Sequence, residues 1–262
     1  MPVDHSNQSR SLEPNPCENA PELCCGGGSA GGGKGAIIYE TVVKPMLSKA
    51  GIEHVVRFTE RHGHAKEIVS QMVAGTNCVL GGQRVNAIVC VSGDGMLHEC
   101  INGLAHGCGD QPQLGKLLAT MPLAIVPAGS GNGVAASLYG RSCSAFTATQ
   151  RIVDGSVAPL DTMAVRTAVA AAPLFDLHFC CWACFADHDY LTEKPLRWLG
   201  PALKMILAPA IVILRRQLYT GTSRVAVRPR RESSARVAKV TGLCCGGGRS
   251  HRLCAARSRA RP

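Results

Sequence analysis

Two stretches of this chain follow one plan: an apolar run, a glycine-rich turn, then apolar residues at helical spacing. In the first, residues 87–91 (AIVCV) lead through Ser92, Gly93, Asp94 and Gly95 into Met96, Leu97, Cys100, Ile101 and Leu104. In the second, residues 123–126 (LAIV) lead through Gly129, Ser130, Gly131 and Asn132 into residues 134–138 (VAASL). A short unbroken run rich in β-branched residues predicts a strand buried on both faces, and so a sheet with helices on each side. Ligands bind such sheets at the carboxyl ends of the strands, where both glycine turns fall.

The surrounding pattern agrees. Helices are predicted over about 36–50, 65–74, 96–104 and 145–154, and strands over 54–59, the run before Asp94, and 123–126. Strands alternating with helices imply a three-layer α/β domain with a mostly parallel sheet. Beyond residue 145 the rhythm changes to strand-like segments at 161–166, 174–186 and 222–227, which predicts an incomplete β-rich second domain. The expected organisation is a flexible segment over 1–30, an α/β domain over 31–155, a partial β-rich domain over 156–227 and a disordered basic tail over 228–262. Residues 1–35 as a whole are polar and then glycine-rich, and read as flexible apart from their last few.

Charge is unevenly placed. Of the net charge of +10, the segment 228–262 supplies +9, from ten Arg or Lys against Glu232 alone. The basic character therefore belongs to the tail, where it points to anionic membrane surfaces, and it gives the folded body no nucleic-acid footprint. The 14 cysteines come without a secretory leader, and Cys90, Cys100, Cys180 and Cys181 lie inside apolar runs. They read as free thiols of a reduced, cytoplasmic protein, and the Cys181/Cys184 spacing as a strand-borne core pair rather than a zinc site. The longest apolar stretch, residues 205–214, is too short to cross a bilayer.

The tract GSAGGGKG at residues 28–35 has the spacing of a phosphate loop, but Gly35 stands where a magnesium-binding hydroxyl belongs and no apolar strand precedes it. The turn SGDG is more telling. Its glycines let the backbone approach a ligand, while Asp94 either caps the following helix or works on a ligand, as a metal ligand or proton acceptor. The second glycine turn favours the ligand: two such turns at neighbouring strand ends form facing walls of an anion site.

SGDGMLHECINGL together with PAGSGNGVAASL resembles the catalytic domain of diacylglycerol-kinase-type lipid kinases, specifically sphingosine kinases. KGAIIYETVVKPML (34–47), FTERHGHAKEIV (58–69), WACFADHDYLTEKPLRWLG (182–200) and RQLYTGTSRVAV (216–227) extend the resemblance over about residues 31–227. It implies a kinase that transfers phosphate from ATP, with Mg2+, to the primary hydroxyl of a sphingoid base. Asp94 is then the general base. Ser92, Gly93 and Gly95 form the phosphate loop, and Thr59, Arg61, Glu99, Gly129, Ser130 and Gly131 contact nucleotide. Asp189 recognises the sphingoid amine and hydroxyl, a pairing that is sound in a partly dry site. Ser92 and Asp94 also face the lipid, and Arg197 offsets phosphate charge. The stretch 204–214 is either a lipid-covering element or a plain buried helix.

The departures are as specific. Gly27 and Gly28 replace the Asn-Pro expected in the first loop, and Leu203 replaces a second phosphate-binding arginine, with Lys204 beside it as a point charge. The later part of the family pattern, which completes the β-rich domain, is replaced after Val227 by an Arg-, Cys- and Gly-rich sequence. The chain thus reads as a kinase associated peripherally with membranes, or as a truncated, inactive homologue that binds nucleotide or a partner protein. Sphingosine, ceramide and diacylglycerol stay open as substrates, with Asp189 favouring the first.

Overall fold

The computed structural model describes residues 22–27, 33–74, 78–80, 83–109, 111–167, 169–196, 198–215, 217, 219, 223–227 and 236–240. The chain divides into two compact units, Met1–Phe179 and Cys180–Pro262. That division lies beyond the domain boundary expected at residue 155, because a hairpin of β7 (Met163–Val165) and β8 (Leu174–Asp176) packs against the rest of the first unit.

The first unit is built on a four-stranded sheet in which every pairing is parallel. Its order is β2 (His54–Thr59), β1 (Glu22–Gly27), β5 (Ile88–Ser92) and β6 (Leu123–Pro127). A small antiparallel pair, β3 (Val79–Leu80) and β4 (Gln83–Arg84), lies outside that sheet.

Residues of β5 alternate between two cores. Ile88 and Cys90 join Ile68, Val69, Leu97, Ile101 and Leu104 on one face, and Val89 and Val91 join Tyr39, Val43, Leu47 and Ala148 on the other. All four of these residues are fully buried. Each such aliphatic side chain contributes about 1.5–3 kcal/mol on leaving water, which is why the run carries no polar alternation.

The first face is covered by α3 (His64–Ala74), α4 (Asp94–Cys108), α5 (Gln111–Thr120) and α6 (Gly133–Tyr139). The second is covered by α1 (Lys34–Ile38), α2 (Lys44–Lys49) and α7 (Ala145–Val153). A single π turn, Tyr39–Val43, joins α1 to α2, with the Lys44 N–H reaching back to the Tyr39 carbonyl. Pro45 has no N–H to give the Thr41 carbonyl, so the ladder slips by one residue there. Helices α3 and α4 meet at backbone distance. A Cβ on Gly103 would lie 2.7 Å from the Lys66 carbonyl oxygen, and one on Gly107 would lie 2.8 Å from that of Ser70. Only glycine at these two positions lets α3 lie so close.

Several expectations are corrected. Residues 22–27 are not flexible: they form β1, flanked by β2 and β5, so a strand does precede the glycine tract. The loop expected after residue 104 is the end of α4 followed by α5. Pro112 did not prevent α5, because it sits in the first turn, where its missing N–H costs nothing.

The run 174–186 is not one strand. After β8 the chain passes to α8 (Cys184–Glu193), so Cys181 and Cys184 are a loop residue and a helix start rather than a strand-borne core pair. That run has no Val, Ile or Thr to favour extension. Cys180, read as a small hydrophobe, is exposed.

In the second unit α8 is followed by α9 (Pro201–Arg215), β9 (Ser223–Val227) and β10 (Arg236–Val240), the last two antiparallel. The tail expected to be disordered therefore contributes one strand. No helix among the described residues is long and apolar enough to cross a membrane.

Candidate functional site

The two glycine turns lie side by side because β5 and β6 are paired in register, Ser92 opposite Pro127. The Ala128 N–H donates to the Ser92 carbonyl at 3.1 Å, continuing the ladder one step past the strands. Beyond that point the backbones touch. A Cβ on Gly129 would lie 2.5 Å from Gly93 Cα, and one on Gly93 would lie 2.9 Å from the Gly131 carbonyl oxygen. Asn132 closes the second turn on itself: its Oδ1 accepts from the Gly129 N–H at 3.1 Å and its Nδ2 donates to the Gly129 carbonyl at 3.0 Å. The sequence marks Asn132 as a turn residue; its two bonds to Gly129 make it the turn's lock.

Asp94 is the first residue of α4, and its side chain crosses to the other turn. Oδ2 accepts from the Gly133 N–H at 2.7 Å and Oδ1 from the Val134 N–H at 3.0 Å. Asn132, the residue before α6, makes no side-chain cap bond, so Asp94 caps that helix from the neighbouring element. The sequence offered Asp94 as a cap of the helix that follows it; the helix it caps is instead α6. Each carboxylate oxygen keeps a second lone pair for a ligand.

Glu99, one turn further along α4, does the same for α3. Its oxygens accept from the Gly63 N–H at 2.8 Å and the Ala65 N–H at 3.2 Å. This fixes the loop between β2 and α3, in which Gly63 has φ 83°. The other expected nucleotide contacts of this region lie at or next to that loop: Thr59 is buried at the end of β2, and Arg61 is on the exposed rim. Arg61 holds Glu67 through two bonds of 2.7 and 2.5 Å. Hydrogen bonding to Glu67 pushes the Arg61 guanidinium further up, and the same bond holds the Glu67 carboxyl below its usual range. An ion pair this exposed is worth little and exchanges readily.

Ser92 is buried at the end of β5, while Gly95 is exposed at the second position of α4. Ser130 and Gly131 lie in the second turn, Gly131 with its Cα side toward Asp94 Oδ2.

The second unit holds Asp189 on α8, its side chain 55% exposed and its Oδ1 3.7 Å from His188 Nδ1. Burial, then the charge of Asp189, pushes the Cys181 thiol up. The nearby Asp187 accepts a hydrogen bond from the Tyr219 hydroxyl, which pushes that phenol up to about 12. Arg197 lies outside the described residues, as does most of the glycine tract 28–35.

A nucleotide triphosphate fits the first-unit site on one specific observation. A Cβ on Gly95 would meet nothing within 4 Å, and one on Gly131 only Asp94 Oδ2 at 4.0 Å, so open space flanks the carboxylate where two turns expose backbone. Backbone amides of such turns receive phosphate oxygens, although those of Gly129, Gly133 and Val134 are already given to Asn132 and Asp94. Mg2+ would be held chiefly by the phosphates, with Asp94 the carboxylate beside them.

Packing gives no reason for a glycine at 95, because alanine is favoured there by about 0.5–1 kcal/mol in a helix. Gly95→Ala is therefore expected to raise the unfolding temperature slightly while weakening ATP binding at least about tenfold. Thermal melts and calorimetric titration of the same sample check both signs.

Comparison with known proteins follows the same residues. The family model described as the diacylglycerol kinase catalytic domain matches residues 28–165. Sphingosine kinase 1 of Arabidopsis thaliana is 35% identical over 185 residues, covering 70% of this chain and 35% of that protein. Sphingosine kinase 1 of Homo sapiens is 30% identical over 227 residues, covering 84% of this chain and 54% of its own. The chain thus spans about a third to a half of the length of these relatives. A crystal structure of a diacylglycerol kinase from Bacillus anthracis str. Sterne is 26% identical and covers 55% of this chain and 44% of its own, with a TM-score of 0.40. The matched span contains β5, β6, both touching glycine turns and the carboxylate that bridges them, and this chain belongs to the family of the diacylglycerol kinase catalytic domain.

Proposed function

We propose that this chain is an ATP- and Mg2+-dependent lipid kinase that phosphorylates the primary hydroxyl of a sphingoid base. One observation carries the reading: the Asp94 carboxylate is held by the Gly133 and Val134 amides where two glycine turns touch. The relatives named sphingosine kinase support the lipid class.

In this reading the amides of both turns hold the triphosphate, and the free lone pairs of Asp94 accept a hydrogen bond from the lipid hydroxyl and then its proton. Mg2+, when bound, offsets charge on the phosphate oxygens. Phosphoryl transfer depends mostly on alignment and electrostatics, so the fixed carboxylate acts first by aiming the hydroxyl. Arg61 exchanges Glu67 for a phosphate oxygen. Glu99 shapes the nucleotide loop through α3, and Arg197 adds a further cation. Asp189 pairs with the ammonium of the sphingoid base, a group that ceramide and diacylglycerol lack. A lipid substrate places the reaction at a membrane surface, and the basic segment 228–262 favours anionic headgroups.

The test is incubation of purified protein with labelled ATP, Mg2+ and sphingosine, ceramide or diacylglycerol in mixed micelles. The expected result is labelled phosphate on sphingosine well above the other two lipids. Nucleotide binding without transfer to any lipid overturns the reading.

A further inference from the structure

A second ionisable group packs on the glycine whose amide holds Asp94, from a run that the sequence presented as strand-like. His178 follows β8, and the Cε1–Nε2 edge of its ring lies against Gly133. A Cβ on that glycine would fall 2.4 Å from Cε1 and 2.5 Å from Nε2. Gly133 is the residue whose N–H binds Asp94 Oδ2 at 2.7 Å. One glycine therefore carries the carboxylate on its amide and the imidazole on its Cα.

The ring is delivered there by a clamp. Buried Asn102 of α4 pairs with the backbone of Phe175 like an extra strand, donating to its carbonyl at 2.8 Å and accepting from its N–H at 2.9 Å. His98, one turn earlier on α4, lies with Nδ1 3.1 Å from Asp176 Oδ2. The other oxygen of Asp176 accepts from the His178 N–H at 2.8 Å. The chain is thus fixed to α4, the helix that begins with Asp94, up to the residue that bears the imidazole. The ring itself stays exposed, touching Phe179 edge to face at 4.3 Å between centroids. Apart from Gly133 and Phe179 the ring faces solvent.

We propose that His178 is a phosphate-facing residue of the transfer site, donating a hydrogen bond from its imidazole to an anionic oxygen of the phosphoryl group in flight; this rests on the kinase reading above. The lipid oxygen–phosphorus bond forms as the β–γ bridging bond breaks. ADP leaves with the electron pair, Asp94 takes the hydroxyl proton, and His178 ends unchanged. The ring packs on the glycine whose amide holds Asp94, which sets it at the edge of the space where a phosphate beside that carboxylate would dock.

His178→Ala is expected to lower kcat/KM for sphingosine phosphorylation about 10- to 100-fold, the worth of one charge-assisted hydrogen bond, with the unfolding temperature unchanged. Added free imidazole is expected to restore part of the lost rate, and His178→Gln to retain an intermediate rate through its neutral donor. The inference stands only if the loss at unchanged stability and the recovery with imidazole both occur; absence of either overturns it. Wild-type protein without turnover overturns the kinase reading and this inference together, whereas active wild type with an equally active His178→Ala overturns the inference alone.

Discussion

Replacing Asp94 with asparagine is expected to lower lipid phosphorylation by about 10²–10⁴-fold, the range associated with removing a positioned proton acceptor. The structure adds a second consequence that a base alone would not have. The carboxylate receives two backbone N–H donors, so an amide NH2 at either position meets the Gly133 or Val134 N–H donor to donor. Leaving one such amide unpaired costs about 1–3 kcal/mol, a fall of a few degrees in unfolding temperature for a chain of this size. The expected record is a large loss of rate with a modest loss of stability, read by labelled-ATP turnover and thermal denaturation of the same preparation. A variant within tenfold of wild type would remove Asp94 from the chemistry.

Gly129→Ala is expected to lose at least about 100-fold in kcat/KM. The added methyl falls 2.5 Å from Gly93 Cα and 2.8 Å from its nitrogen. Both atoms are backbone, so no rotamer change relieves the contact and the two turns must part. A displacement of about 1 Å in a transfer site is worth about two orders of magnitude in rate. Because Asp94 spans the same two turns, the variant also stretches its bonds to α6. The effect on ATP affinity and on turnover should therefore appear together, measured by calorimetry and by initial rates. Turnover within threefold of wild type would show that the contact is not part of the working site.

The parts of the fold that were legible in sequence are those written in contiguous residues. The runs before Ser92 and before Pro127 are apolar, rich in β-branched side chains and closed by glycine turns, so strand, turn and helix follow locally. Segment β1 gave no such signal: ELCCGG has no β-branched residue and ends in two glycines, and its extension rests on ladders from strands on both sides. The run 174–186 misled in the opposite sense, since apolarity alone does not choose between strand and helix.

For the site, residue types were legible but their partners were not. Asp94 reaches Gly133 across 39 positions and Glu99 reaches Gly63 across 36. A carboxylate that caps a neighbouring helix has the same local sequence as one that caps its own. Asn102 and His178 were silent for the same reason: their meaning comes from the β7–β8 hairpin returning to α4.

The placement of β1 between β2 and β5 bears on how the molecule comes into being on the ribosome. This strand leaves the exit tunnel ahead of both neighbours, and at about 5–20 residues per second the last residue of β5 follows it by roughly 3–13 s. Parallel partners cannot be closed by a hairpin, so β1 waits as an open template while each crossover is synthesised. The floor on which Asp94 and the glycine turns stand is completed only when β6 docks, so ligand affinity arrives late in biogenesis, as a property of the finished sheet.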